Sequence, residues 1–382
     1  MLHYSPGKRP FESGPQEYTS KGAVLLSALK SRRIGGLDFV RAAAVSMVML
    51  GHAADARPDL GWALEPLASL GVKAFFVLSG LLITRLLQAE IDAHGRIDYL
   101  AFYRRRVARL MPAFYLYLAV VLALSCVRDR AVPWDAVVSA MLYVVNYYQA
   151  FTGAQTNIVS HCWSLAVEEQ FYVFWPLLFA ALHTRRMRMG RALVLIILGV
   201  WCWRVFLVLE MNAAIHYLYR ALDTRADDLA VGCLIAVLAR SGEWRARLAG
   251  AMNFPGVGPV LVLLIYGSSL MDGQSLVFKY CFGYMVEPLM IGLLILITVG
   301  ASTRDGLISD LLNSRLLVHI GKISYSMYLF HGLVMYSAQR LVEELTGSFW
   351  LGFALSFVAV ILVATLSFRY VETPLAKLIN GK

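Results

Sequence analysis

Charge is scarce in this chain. Of its 382 residues only 16% are Asp, Glu, Lys or Arg, while 59% are hydrophobic. A soluble domain carries about 25% charged residues, so the shortage excludes an ordinary water-soluble globule. Cysteine is also sparse. Cys126, Cys162, Cys202, Cys233 and Cys281 are scattered through apolar segments, with no CxxC pair and no metal-ligand spacing. They read as packing residues, and no metal site is expected. No window shows the roughly ten-residue alternation of an outer-membrane barrel. Internal repeats, low-complexity tracts and nucleotide-binding motifs are missing, and no secretory leader is visible.

Long apolar runs are what the sequence does have. Eleven recur near 37–54, 68–88, 110–127, 136–152, 163–182, 192–210, 224–240, 256–271, 282–300, 321–341 and 349–368. Each approaches the ~20 residues that cross a bilayer. The reading is an all-α, polytopic integral membrane helical bundle. Its net charge of +10 suits cytoplasmic loops rich in Lys and Arg better than a nucleic-acid partner. With the N-terminus inside, HGRIDYLAFYRRRVAR, RRMRMGR and RSGEWRAR all fall on the cytoplasmic side only if 136–152 fails to cross. About ten spans follow, with both termini cytoplasmic. Residues 1–34 read as a basic extension, 35–378 as the membrane domain and 379–382 as a tail.

Several polar residues interrupt these runs, and a charge inside a membrane is expensive enough to mark function. The first run, RAAAVSMVMLGH, carries Arg41 and His52. Eleven residues separate them by roughly 16 Å along a helix, about 20° apart on one face. They cannot pair directly, but they can mark two ends of one polar path. In SHCWSLAVEEQFYVFWP, His161, Ser164 and Glu168 share a helix face, with Tyr172 one turn further on and Glu169 turned away. Glu168 is expected to orient His52 as a general base. FYRRRVARLMP places Arg105, Arg106 and Arg109 at the cytoplasmic start of a span, and arginine forks bind phosphate.

Three further motifs allow both structural and functional readings. Arg225 with Asp227 or Asp228 forms an ion pair or lines an outer mouth. Lys73 snorkels to the interface or serves the site, while Ser79 and Gly80 allow close helix packing. In GKISYSMYLFH, Lys322 lies at the inner end and His331 reads as a satisfied core histidine.

Taken in order, LDFVRAAAVSMVMLGH, GVKAFFVLSGLLIT, FYRRRVARLMP, HCWSLAVEEQFYVFWPLL, TRADDLAVGCLIA, GKISYSMYLFH and FRYVETPLAKL resemble the membrane-bound acyltransferase 3 family over about residues 35–378. The resemblance implies transfer of an acyl group, most often acetyl, from cytoplasmic acetyl-CoA or another acyl-CoA to hydroxyls of extracytoplasmic glycans. It implies a multi-pass protein of the bacterial inner membrane, with membrane lipids around it and a carbohydrate or lipid-linked glycan as acceptor. His52 and Arg41 match the family's essential histidine and arginine. Arg106 and Arg109 match the RxxR pair linked to CoA, and Glu168 matches the acidic residue of its WSLxVE motif. Many members carry a fused SGNH hydrolase-like domain that this sequence lacks, and the basic head lies outside the pattern. Both departures leave the acceptor open.

The expected chemistry puts CoA phosphates on Arg105, Arg106 and Arg109, the pantetheine past Arg41, and the thioester at His52. Ser164, Lys73 or Trp163 would donate to the developing oxyanion, and an acyl-enzyme step fits equally well. A secondary transporter or sugar flippase is the rival class. It predicts internal repeats. Succinyl and acetyl transfer are not separable from the residues.

Overall fold

The structure, a computed structural model, describes residues 36–54, 57–154, 159–184, 189–241 and 256–381. The expected basic head, most of RSGEWRAR and the first part of RRMRMGR lie outside the described residues. Every regular element among those described is helical: α1 (Leu37–Ala53), α2 (Pro58–His94), α3 (Tyr99–Val127), α4 (Trp134–Met141), α5 (Val145–Thr152), α6 (Cys162–Thr184), α7 (Met189–Leu209), α8 (Ile215–Arg220), α9 (Ala226–Leu238), α10 (Val257–Asp272), α11 (Tyr284–Ser302), α12 (Leu307–Leu312), α13 (Arg315–Thr346), α14 (Phe349–Ser367) and α15 (Thr373–Ile379).

Each apolar run becomes a helix, with one instructive break. The 136–152 run splits into α4 and α5, of eight residues each. Tyr143 between them has φ 55, which no α-helix accommodates. Each piece is about 12 Å long and cannot cross a ~30 Å hydrocarbon layer. Six helical stretches among the described residues are long and apolar enough to cross, starting at Asp59, Tyr99, Cys162, Met189, Leu276 and Phe349. The other runs expected to cross give α1, α9 and α10, of 17, 13 and 16 residues, and α13, whose 32 residues include charged ones. The stretch expected as an outer loop, DARPDLGWALE, is helical from Pro58 onward, because proline suits a first helical turn. At the other end of α2, Gly95 caps the helix in the left-handed region.

The α1–α2 hairpin sits at the centre. Val45 and Val48 of α1 and Phe76 of α2 pack with Tyr117, Trp163, Met327 and Phe330 from α3, α6 and α13. Val40 and Ala44 of α1 and Val77 and Leu81 of α2 pack on the opposite side with Val231 and Ile295 from α9 and α11. Small residues set the spacing. A Cβ on Gly80 would collide with the Leu229 carbonyl, and one on Gly232 with the Val77 carbonyl, so the backbones of α2 and α9 touch. Large apolar side chains remain on the outside, such as Leu195, Leu263 and Leu362, as lipid solvent requires. Cys162, Cys233 and Cys281 are buried, but Cys126 and Cys202 are exposed, so the packing expectation holds for three of the five.

Candidate active site

A cavity of about 480 Å³ runs between α1, α2, α3, α6 and α13, within the usual range of ligand pockets, roughly 300–1,000 Å³. Its long wall is one face of α2, with Phe75, Ser79, Leu82, Leu86 and Ala89 recurring at three- and four-residue intervals. From Phe75 to Ala89 that face is roughly 21 Å long. Leu86 and Ala89 are exposed, which marks the open mouth. Ser164, Glu168 and Tyr172 of α6 form the facing wall, and Tyr328 of α13 stands at the Phe75 end.

Four arginines enter this cavity: Arg41, Arg85, Arg106 and Arg109. Arg41 pairs with Asp38 one turn earlier at 2.8 Å. The Arg106 guanidinium lies 3.4 Å from the Tyr172 ring centre, a cation–π stack. Its Nε is buried without a hydrogen-bond partner. The Tyr172 hydroxyl donates to Glu168 at 3.1 Å, and Ser79 lines the cavity with them. The expected RxxR pair therefore meets Arg41 and Glu168 in one space. Arg105 does not join them. It is about half exposed and reaches Glu90 at 3.3 Å on the outside, since it is turned about 100° from Arg106 around α3. Arg85 was not singled out from the sequence; its place one turn beyond Leu82 on the cavity face of α2 is the signal that finds it.

The histidines gather beyond the closed end. His52 stacks on His331 with ring centres 5.2 Å apart and planes 30° apart. His161 meets His331 edge-on, also at 5.2 Å. His331 is 2% exposed, and its Nδ1 lies 2.6 Å from the Tyr328 carbonyl. A carbonyl only accepts, so Nδ1 carries the proton and Nε2 the lone pair. Burial, with the nearby His52 second, pulls the His161 imidazole down to about 4, so this ring is neutral at pH 7. The Tyr328 ring touches both His331 and His161. Its hydroxyl donates to the His161 carbonyl at 3.1 Å and lies 2.6 Å from Ser164 Oγ. Tyr328 and Ser164 thus separate the arginine cavity from the three histidines. The sequence suggested that Glu168 would hold His52. In the structure Glu168 accepts from Tyr172 in the cavity wall, and the ring against His52 is His331. His331 is indeed satisfied, but it is not an isolated core residue.

Lys73, Arg225 and Asp227 belong to a separate buried network. Lys73 is fully buried, pairs with Glu287, and lies 3.7 Å from Asp272, so it does not snorkel. Arg225 pairs with Asp228 at 2.9 Å, while Asp227 holds both Arg204 nitrogens at 2.7 and 3.0 Å. Arg204 and Glu287 were missed, although each is a charge inside an apolar run. Of the three expected oxyanion donors, Lys73 and Trp163 stand off the cavity wall and Ser164 lies on it.

The acyltransferase domain family (Acyl_transf_3) matches residues 34–369. The chain is 27% identical over 369 residues to the peptidoglycan O-acetyltransferase OatA of Listeria monocytogenes, covering 91% of this chain and 56% of that protein. It is 28% identical over 365 residues to the O-acetyltransferase OatA of Staphylococcus aureus, covering 91% and 58%. The chain thus spans a little over half the length of these curated relatives. No solved structure matches.

Proposed function

The chain belongs to the Acyl_transf_3 acyltransferase family, and from that premise we propose that it is a membrane O-acetyltransferase that moves acetyl from acetyl-CoA to a hydroxyl of an extracytoplasmic carbohydrate. Both relatives carry O-acetyltransferase names, one of them for peptidoglycan, which supports acetyl as the group and a cell-envelope glycan as the acceptor class. The inner membrane of a bacterium is the setting proposed. The observation that carries the reading is the cavity itself: four arginines enter it, of which only Arg41 has a salt bridge among the described residues, and a hydroxyl pair stands at its closed end beneath a histidine cluster.

In this mechanism acetyl-CoA enters from the cytoplasm at the Leu86–Ala89 mouth. Arg106 and Arg109 bind its anionic part, and Arg41, steadied by Asp38, borders the arm. Glu168 acts within the donor site, fixing Tyr172 and through it the Arg106 stack. The thioester lies at the Ser164–Tyr328 end. His52, whose side chain is partly accessible, meets the acceptor from the opposite end. It takes the hydroxyl proton as the oxygen attacks the thioester carbonyl. The C–O bond forms, the C–S bond breaks, and the proton returns to the departing thiolate. Tyr328 and Ser164 donate to the transient oxyanion. For the thioester to reach His52, the Tyr328 ring must turn aside.

Membranes holding wild type or His52→Ala, given labelled acetyl-CoA and the host's surface glycans, test this reading. Label is expected in glycan with wild type only. Equal label from both would remove His52 from the reaction. No label from either, with both proteins folded, would overturn the acetyltransferase reading.

A further inference from the structure

Arg85 has no assigned task, yet it is placed as a ligand residue. It lies on the cavity face of α2 and is partly buried. No hydrogen bond or ion pair reaches it from the described residues. An arginine withdrawn from water without a counter-charge is costly unless an anion completes it. Two neighbouring arginines already have partners: Arg106 has Tyr172, and Arg105 has Glu90 outside the cavity.

The distance along α2 indicates which anion. Ten residues separate Arg85 from Phe75 at the closed end, a rise of roughly 15 Å. An extended pantetheine arm, from its thioester to its first phosphate, is about twelve bonds long. That equals four residues of extended chain, roughly 14 Å. A thioester seated beside Phe75, Ser164 and Tyr328 therefore brings the pyrophosphate level with Arg85.

We propose that Arg85 is a phosphate anchor of the donor site, binding the pyrophosphate of the acyl donor at the cavity mouth. This inference rests on the acetyl-CoA reading above. A phosphate on a lipid headgroup offers the same chemistry, and the test separates the two. Detergent-purified wild type, Arg85→Gln, Arg85→Lys and Arg105→Gln would be compared with acetyl-CoA and with S-acetylpantetheine, which lacks the phosphates. Losing one charge-assisted contact should raise KM for acetyl-CoA about ten- to hundredfold in Arg85→Gln, with kcat little changed. Arg85→Lys should fall between, and Arg105→Gln should match wild type. Where S-acetylpantetheine is used, its KM should not respond to position 85.

An unchanged KM for acetyl-CoA in Arg85→Gln overturns the proposal. So does an equal rise for both donors, or an equal rise in Arg105→Gln. An unchanged KM together with lost stabilisation by phosphatidylglycerol would assign Arg85 to lipid instead. If wild type transfers from neither donor, the failure belongs to the acetyl-CoA reading and not to Arg85.

Discussion

At the scale of single residues, the most consequential placement is that of Glu168. A carboxylate beside a histidine and the same carboxylate beside an arginine predict different kinetics. Glu168 accepts from Tyr172, and Tyr172 carries the Arg106 guanidinium on its face. Removing the carboxylate with Glu168→Ala frees the phenol and loosens the stack. KM for acetyl-CoA is then expected to rise about tenfold, the worth of a charge-assisted contact, with a smaller change in kcat. Steady-state kinetics at saturating acceptor decide this. A fall in kcat as deep as that of His52→Ala, at unchanged KM, would mean that Glu168 serves the histidine instead. Much of this site was legible in the sequence, because Arg41, Glu168 and His52 each break an apolar run and Arg106 and Arg109 cluster just before one. Their grouping was not legible. Helical spacing gives the face of each helix but not which faces oppose one another, so His331 went unrecognised as the neighbour of His52.

At the scale of elements, helix contacts explain both what could be foreseen and what could not. The apolar runs located the helices well, since a lipid-facing helix must satisfy its backbone internally wherever it runs. That the 136–152 run would not cross was also read from charge, because a fourth crossing there would have put RRMRMGR on the wrong side. Helix lengths were less visible: α2 runs for 37 residues, and its first turns are polar enough to resemble a loop. The α2–α9 contact rests on Gly80 and Gly232, each against a carbonyl of the facing helix. Backbone cannot yield as a side-chain tip can. Gly80→Val should therefore push the two helices apart and destabilise the protein by about 1–3 kcal/mol or more. Thermal unfolding in detergent should show the loss, and Gly199→Val on α7, where a Cβ meets open space, should not. Equal midpoints for the two variants would remove close packing as the reason for Gly80. The cavity wall lies on the same helix, so a shifted α2 would also carry Ser79 and Arg85 out of register with α6.

At the scale of the whole molecule, two polar systems divide one apolar bundle. Among the described residues, the cavity keeps Arg85, Arg106 and Arg109 without salt bridges, whereas the network around Lys73 pairs its charges internally. The ion pairs join distant parts of the chain: Lys73 on α2 with Glu287 on α11, and Arg204 on α7 with Asp227 on α9. Lys73 and Glu287 are 214 positions apart, and no local pattern could have matched them. Such a network pins helices that lipid would otherwise allow to slide, since apolar contact alone discriminates little between helix and lipid. Lys73→Met leaves Glu287 and Asp272 buried near each other without their cation. The expected cost is about 3–5 kcal/mol, the penalty of breaking a buried pair from one side. Replacing the partners together, as Lys73→Met with Glu287→Leu and Asp272→Asn, removes the stranded charge and should recover most of that loss. Unfolding midpoints of the single and triple variants in detergent would separate the two cases. Recovery in the triple variant, with acetyl transfer retained, would establish the network as scaffold. Recovery of stability with transfer still absent would mean that Lys73 or its partners act in the reaction despite standing off the cavity wall.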